Sequence, residues 1–133
     1  MRSTAYALLT NTPDLQAILG DRIASSGNAD DFAHPFLVIR VLPENIDVGG
    51  VIVGGWEIHV HDDPNSYVQI DQAIDMVEDR LLSFAPALAP GSEWWVMSIE
   101  SSGRSEDLFD DHYGTATRYV VFRWVARRQV PLG

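Results

Sequence analysis

The chain has 133 residues, enough for one domain with a core of its own, and its 46% hydrophobic content, with aromatics spread along the length, is that of a folded protein needing no cofactor. Cysteine is absent, which excludes disulfides, thiolate metal sites and a cysteine nucleophile. The formal net charge is −10, from 19 acidic residues against 9 basic ones, all arginine, and this opposes the clustered cations that duplex binding requires.

No apolar run approaches the roughly 20 residues that cross a bilayer. The start, from Met1 to Leu9, meets polar residues too soon for a signal peptide. Neither secretion nor membrane insertion is expected, and the cytoplasm is the default compartment.

In chain order, Ala5, Leu8 and Leu9 have near-helical spacing and predict a short first helix. Thr12, Pro13 and Asp14 then form an N-cap, a first helical residue without an N–H, and an acid at the positive helix end. With Leu15, Ile18 and Leu19 on one face and Gly20 as a stop, this predicts a helix over 13–19. Residues 25–31 are turn-formers without apolar periodicity and read as an exposed loop.

Residues 36–42 are apolar on both parities except at Arg40, which predicts a strand covered on one face and partly on the other; Pro43 ends it. Residues 44–55 combine two Gly-Gly pairs with Val51, Ile52 and Val53, a pattern read as a flexible hairpin arm and a candidate contact with a neighbour. From Trp56 alternation is clean, with Trp56, Ile58 and Val60 opposite Glu57, His59 and His61.

After a turn at 62–66, the period changes to 3.6. Tyr67, Ile70, Ile74, Val77 and Leu81 make the stripe of a long amphipathic helix over 66–84, closed by Pro86, Pro90 and Gly91. Residues 93–100 and 117–127 are the last strands, expected to pair as neighbours across a polar, acidic connection at 101–116. In the second of these, Val120, Phe122, Trp124 and Ala126 share one face, while Tyr119, Val121, Arg123, Val125 and Arg127 share the other.

The expected fold is α+β: one domain spanning 1–133, with an antiparallel sheet of about four strands, a long helix across one face and short N-terminal helices. Both faces of the last strand carry apolar residues, so the face away from the helix needs another occupant. Self-association follows.

Chemistry has few candidates. His59 and His61 project from one strand face beside Asp62 and Asp63, so a zinc site completed by a carboxylate or His112 is the metal-binding or metalloenzyme alternative. Spacing fixes no third ligand, and the other reading is of polar residues on a solvated or subunit-facing strand. Leu108 and Phe109 sit inside the acidic segment 107–112, which lacks the alternating oxygen ligands of a calcium loop. They could anchor on a neighbour, while Asp110 and Asp111 could line a passage that repels DNA phosphates. Hydrolase, P-loop and dinucleotide fingerprints are absent.

Three ordered stretches resemble the tail terminator proteins of long-tailed phages, particularly those of actinobacteria. They are residues 8–15 with 20–23, residues 34–40, and residues 60–67 running into Ile70-Asp71 and the long helix; the strand 118–122 completes the pattern. The resemblance implies a non-enzymatic α+β virion subunit, assembled in the host cytoplasm, that forms a ring, typically hexameric. Such a ring caps the tail tube protein, meets the head-to-tail connector protein and lets DNA pass through its lumen without specific binding. Related tail-completion or head-to-tail connector proteins share much of the pattern, so a head-to-tail connector or neck adaptor is a further alternative. A ring needs two different complementary patches on each subunit. Our candidate interface residues are Val51, Ile52, Val53, Leu108, Phe109, Tyr119, Val121, Arg123 and Arg127, with Asp110 and Asp111 as a candidate acidic lumen.

Overall fold

The computed structural model describes residues 2–25, 29–46, 49–64, 66–83, 87–88 and 94–128. The predicted loop closing the long helix lies largely outside them. In order, the elements are α1 (Arg2–Thr10), α2 (Pro13–Leu19), β1 (Ile23–Ala24), β2 (Phe36–Val41), β3 (Asn45–Ile46), β4 (Val51–Asp62), α3 (Tyr67–Leu82), β5 (Ala87–Leu88), β6 (Trp94–Arg104), β7 (Leu108–Asp110) and β8 (Thr115–Arg128).

Thr12 occupies the position before α2 with an extended backbone, and Pro13 opens the helix as its sequence requires. The Thr12 hydroxyl does not cap α2. It donates to the Leu8 carbonyl oxygen at 2.9 Å and so satisfies the frayed end of α1 instead. Gly20 ends α2 at φ +58, where its N–H reaches the Gln16 carbonyl. In α3 the buried side chains are Ile70, Ala73, Ile74, Val77 and Leu81, the predicted stripe with a small residue added where the helix meets the sheet.

The sheet runs β1-β2-β4-β8-β6-β5, with β3 also beside β4 and β7 also beside β8. It therefore has eight strands among the described residues, not about four, and it is mixed, because β1 pairs with β2 in parallel. The four expected strands are its long members, β2, β4, β6 and β8, and they pair antiparallel. The additional four are two or three residues long, too short to carry a period.

Register separates the two faces. Leu37 and Ile39 of β2 lie with Trp56, Ile58 and Val60 of β4 and with Val120, Phe122, Trp124 and Ala126 of β8, all buried. Onto this face pack α3 and also the short helices, which contribute Ala5, Leu8, Leu9, Leu15 and Leu19 to the same core. Arg104 of β6 ties α3 down from outside by donating to Glu78 at 2.8 Å and to Asp75 at 2.6 Å.

The predicted arm at 44–55 is corrected in part. It does form a hairpin, turning at Gly49 and Gly50 with φ of +92 and +82. Val51 to Gly55, however, are regular ladder continuous with the rest of β4. Gly54 and Gly55 serve close packing: a Cβ on Gly54 would lie 2.5 Å from Trp124 Cζ2, and one on Gly55 would lie 2.6 Å from the Phe122 carbonyl oxygen. Large neighbours fill the space the glycines leave.

Candidate self-association surface

The second face of the sheet carries Phe36, Val38 and Arg40 of β2, Glu57, His59 and His61 of β4, and Thr117, Tyr119, Val121, Arg123 and Val125 of β8. Its two halves differ. Toward the β1 end, Phe36, Val38, Ala24 and Ala29 form a second small core against Phe32 and Tyr113. This half is closed by the chain itself.

Toward the start of β4 the sheet is covered only in part, by Leu42 packed over Gly55. Val53 pairs with Val125, Gly55 with Arg123 and Val51 with Arg127, and Val53 remains 36% exposed. On the far side of β8, Trp95 lies opposite Arg127, and Met97 sits in the bulge between Val96 and Ser98; they are 42% and 44% exposed. Beside Val53 and Arg123 a shallow cavity of about 230 Å³ runs along Leu42, Pro43 and Asn45. The result is an apolar strip with exposed Arg123 and Arg127 in it, the composition of a surface that meets another protein.

Most of the predicted interface residues converge here. Val51, Val53, Tyr119, Val121, Arg123 and Arg127 share the second face, half-buried or exposed. Ile52 does not belong with them: strand alternation turns it into the helix-side core, where it is 7% exposed. Leu108 and Phe109 lie on β7, beside the first residues of β8. Val125 is eight residues further along that strand, roughly 26 Å away at 3.3 Å per residue, so they form a separate feature. The Leu108 carbonyl accepts the Tyr67 hydroxyl at 2.9 Å, whereas Phe109 is 58% exposed. Trp95 and Met97 escaped the sequence reading because a bulge breaks alternation in β6. The signal available was the run from Trp94 to Met97, apolar on both parities.

His59 and His61 do share a face, with rings 6.3 Å apart, but one nitrogen of each is engaged elsewhere. His59 Nε2 lies 2.5 Å from Glu57 Oε1, and His61 Nδ1 lies 2.8 Å from Thr115 Oγ1. The His61 ring stacks on Phe36 at 4.7 Å and is buried, and burial pushes its pKa down to about 4. Burial also lowers that of His59, against the opposing pull of Glu57. His112 pairs with Asp30 at 2.9 Å, and Asp62 accepts the N–H of Asp63, so neither completes a shell. Among the described residues no three His, Cys, Asp or Glu side chains converge on a metal position. The two histidines are packing residues of the closed half.

In the acidic segment, Asp110 Oδ1 accepts the Tyr113 N–H at 2.9 Å and closes the turn into β8. Asp111 is exposed. Arg118 gathers the neighbouring acids, 2.6 Å from Asp71 and 3.5 Å from Asp107.

The fold is similar to that of a chain in a solved structure described as "Virion of native gene transfer agent (GTA) particle". The TM-score is 0.76 and the likeness covers 96% of this chain and 94% of that one. Sequence identity is 17%, so what the two share is the fold, over nearly the full length of both. No family model matches the sequence, and no curated protein is similar to it.

Proposed function

We propose that this chain is a non-enzymatic structural protein of a virion, a tail terminator that assembles with its own copies into a ring. The ring would cap the tail tube of a long-tailed, phage-like particle and present a surface to the head connector. The observation that carries this reading is the full-length likeness to a chain of a gene transfer agent virion. The ordered sequence resemblance to tail terminators points the same way.

The open half of the second face supplies a reason to assemble. Val53, Trp95 and Met97 leave apolar surface in water on a sheet that the chain's own helices cover only on the other side. A net charge of −10 suits a passage for DNA, since acids such as Asp110 and Asp111 repel phosphate instead of gripping it. The reading is tested by electron microscopy of particles assembled without this protein. Tails of uncontrolled length support a terminator. Finished tails of normal length that fail to join filled heads would reassign the chain to the connector, and normal, infectious particles would refute the virion role.

A further inference from the structure

A ring subunit needs a second patch, and the groove between α2 and α3 has the properties to be one. This groove, about 450 Å³, is lined by Asp14, Ala17 and Ile18 of α2 and by Gln72, Asp75, Met76 and Asp79 of α3. Its floor is apolar, from Ile18 and Met76, and its rim is acidic. Among the described residues Asp14 and Asp79 have no ion-pair partner within the chain, while Asp75 is shared with Arg104. On the open half of the sheet the situation is the mirror image. Its apolar strip carries Arg123 and Arg127, and among the described residues neither makes an ion pair, although Glu100 of β6 lies opposite Arg123 in the ladder.

We propose that the open half of the sheet of one copy docks into the α2/α3 groove of the next, with Arg123 and Arg127 meeting Asp14 and Asp79 and Trp95 and Met97 covering Ile18 and Met76. Three observations argue for a second copy as the occupant. The unpaired charges are opposite in sign, both patches combine an apolar centre with charge, and they lie on opposite sides of the molecule, because the helices cover the sheet face away from the open one. Patches so placed cannot satisfy each other within one chain. They join copies head to tail, the interface type that closes into a ring where the rotation permits. Charge matching also sets the register and disfavours sheet-to-sheet pairing, which would bring arginines together.

This proposal rests on the ring reading, and charge reversal separates the two. In sedimentation of the purified full chain, wild type is expected at several times the single-chain mass of 14.8 kDa. The sheet variant R123E/R127E and the groove variant D14R/D79R should each fall to 14.8 kDa, since each sets like charges against each other. An equimolar mixture of the two should return to high mass, because the altered sheet of one then faces the altered groove of the other. D79R alone, which leaves the first turn of α2 untouched, is the second groove variant should the double one fail to fold. The proposal is overturned if folded groove variants assemble like wild type, or if the mixture of folded variants stays at single-chain mass; the ring reading survives both results. Wild type that never assembles removes the ring reading and this proposal with it.

Discussion

Substitution of Gly54 by alanine distinguishes two views of the glycine pairs by the sign of its effect. If Gly54 provided flexibility, alanine would restrict the unfolded chain and stabilise the fold by about 0.4–1 kcal/mol. The structure predicts the reverse. The added Cβ would lie 2.5 Å from Trp124 Cζ2 and 2.9 Å from Cη2, where ordinary contact is 3.4–4 Å, so the ring or strand must move by roughly 1 Å. Trp124 has no free space to enter: it is fully buried, 6.1 Å from the Trp56 ring. Overpacking of this kind costs about 1–3 kcal/mol. A loss of about 2 kcal/mol in a domain of this size lowers Tm by roughly 6–10 °C. Thermal and urea unfolding of G54A measure it, and W124L, which makes room, should reduce the cost of G54A to less than about 0.5 kcal/mol. An unchanged or raised Tm for G54A, or an equal loss in the W124L background, would refute the packing argument.

Further outcomes follow from the same geometry. Leu15 is fully buried beneath the sheet-side core, so L15A should cost about 2–5 kcal/mol in urea unfolding; a negligible loss would mean that α2 is not part of the core. His61 is held neutral by burial, with a folded pKa of about 4 below an unfolded value of 6.5. Its contribution is complete above pH 6.5 and declines as pH falls toward 4, by at most about 3 kcal/mol. H61Q should therefore show a shallower stability loss than wild type across that window, and parallel pH profiles would contradict the assignment. Phe109 is largely exposed, so F109S should keep folding stability within about 0.5 kcal/mol. A large loss would place Phe109 in an intramolecular contact.

How much of this was legible in the sequence depended on whether a residue's environment was set nearby or far away in the chain. The Thr12-Pro13-Asp14 start, the 3.6-residue stripe of α3 and the alternation of β4 and β8 are local patterns, and all appear at the predicted places. The role of Gly54 was not local. Val51 to Gly55 reads as a loose arm until Trp124, seventy residues later in sequence, is seen to occupy the missing side chain's place. The same holds for the short helices, whose leucines were visible but whose packing beside α3 on the sheet was not. For the surface, strand parity placed Arg123 and Arg127 on one face of β8, but that Val53 joins them and Ile52 does not became visible only because the arm is regular strand. The closure of the other half required the loop around Phe32 and the turn at Tyr113, which are brought together only by the fold. That closure confines the uncovered apolar surface to one half of the face and turns a general expectation of self-association into a located one.

The most direct measurement is the solution mass of the purified chain across a range of concentrations, alone and with the tail tube protein, for wild type and for V53D. We expect wild type to form a discrete species several times 14.8 kDa and V53D, with a charge set into the centre of the strip, to remain at 14.8 kDa while still folded. Wild type at single-chain mass under every condition would contradict the claim that sister copies cover the open half of the sheet.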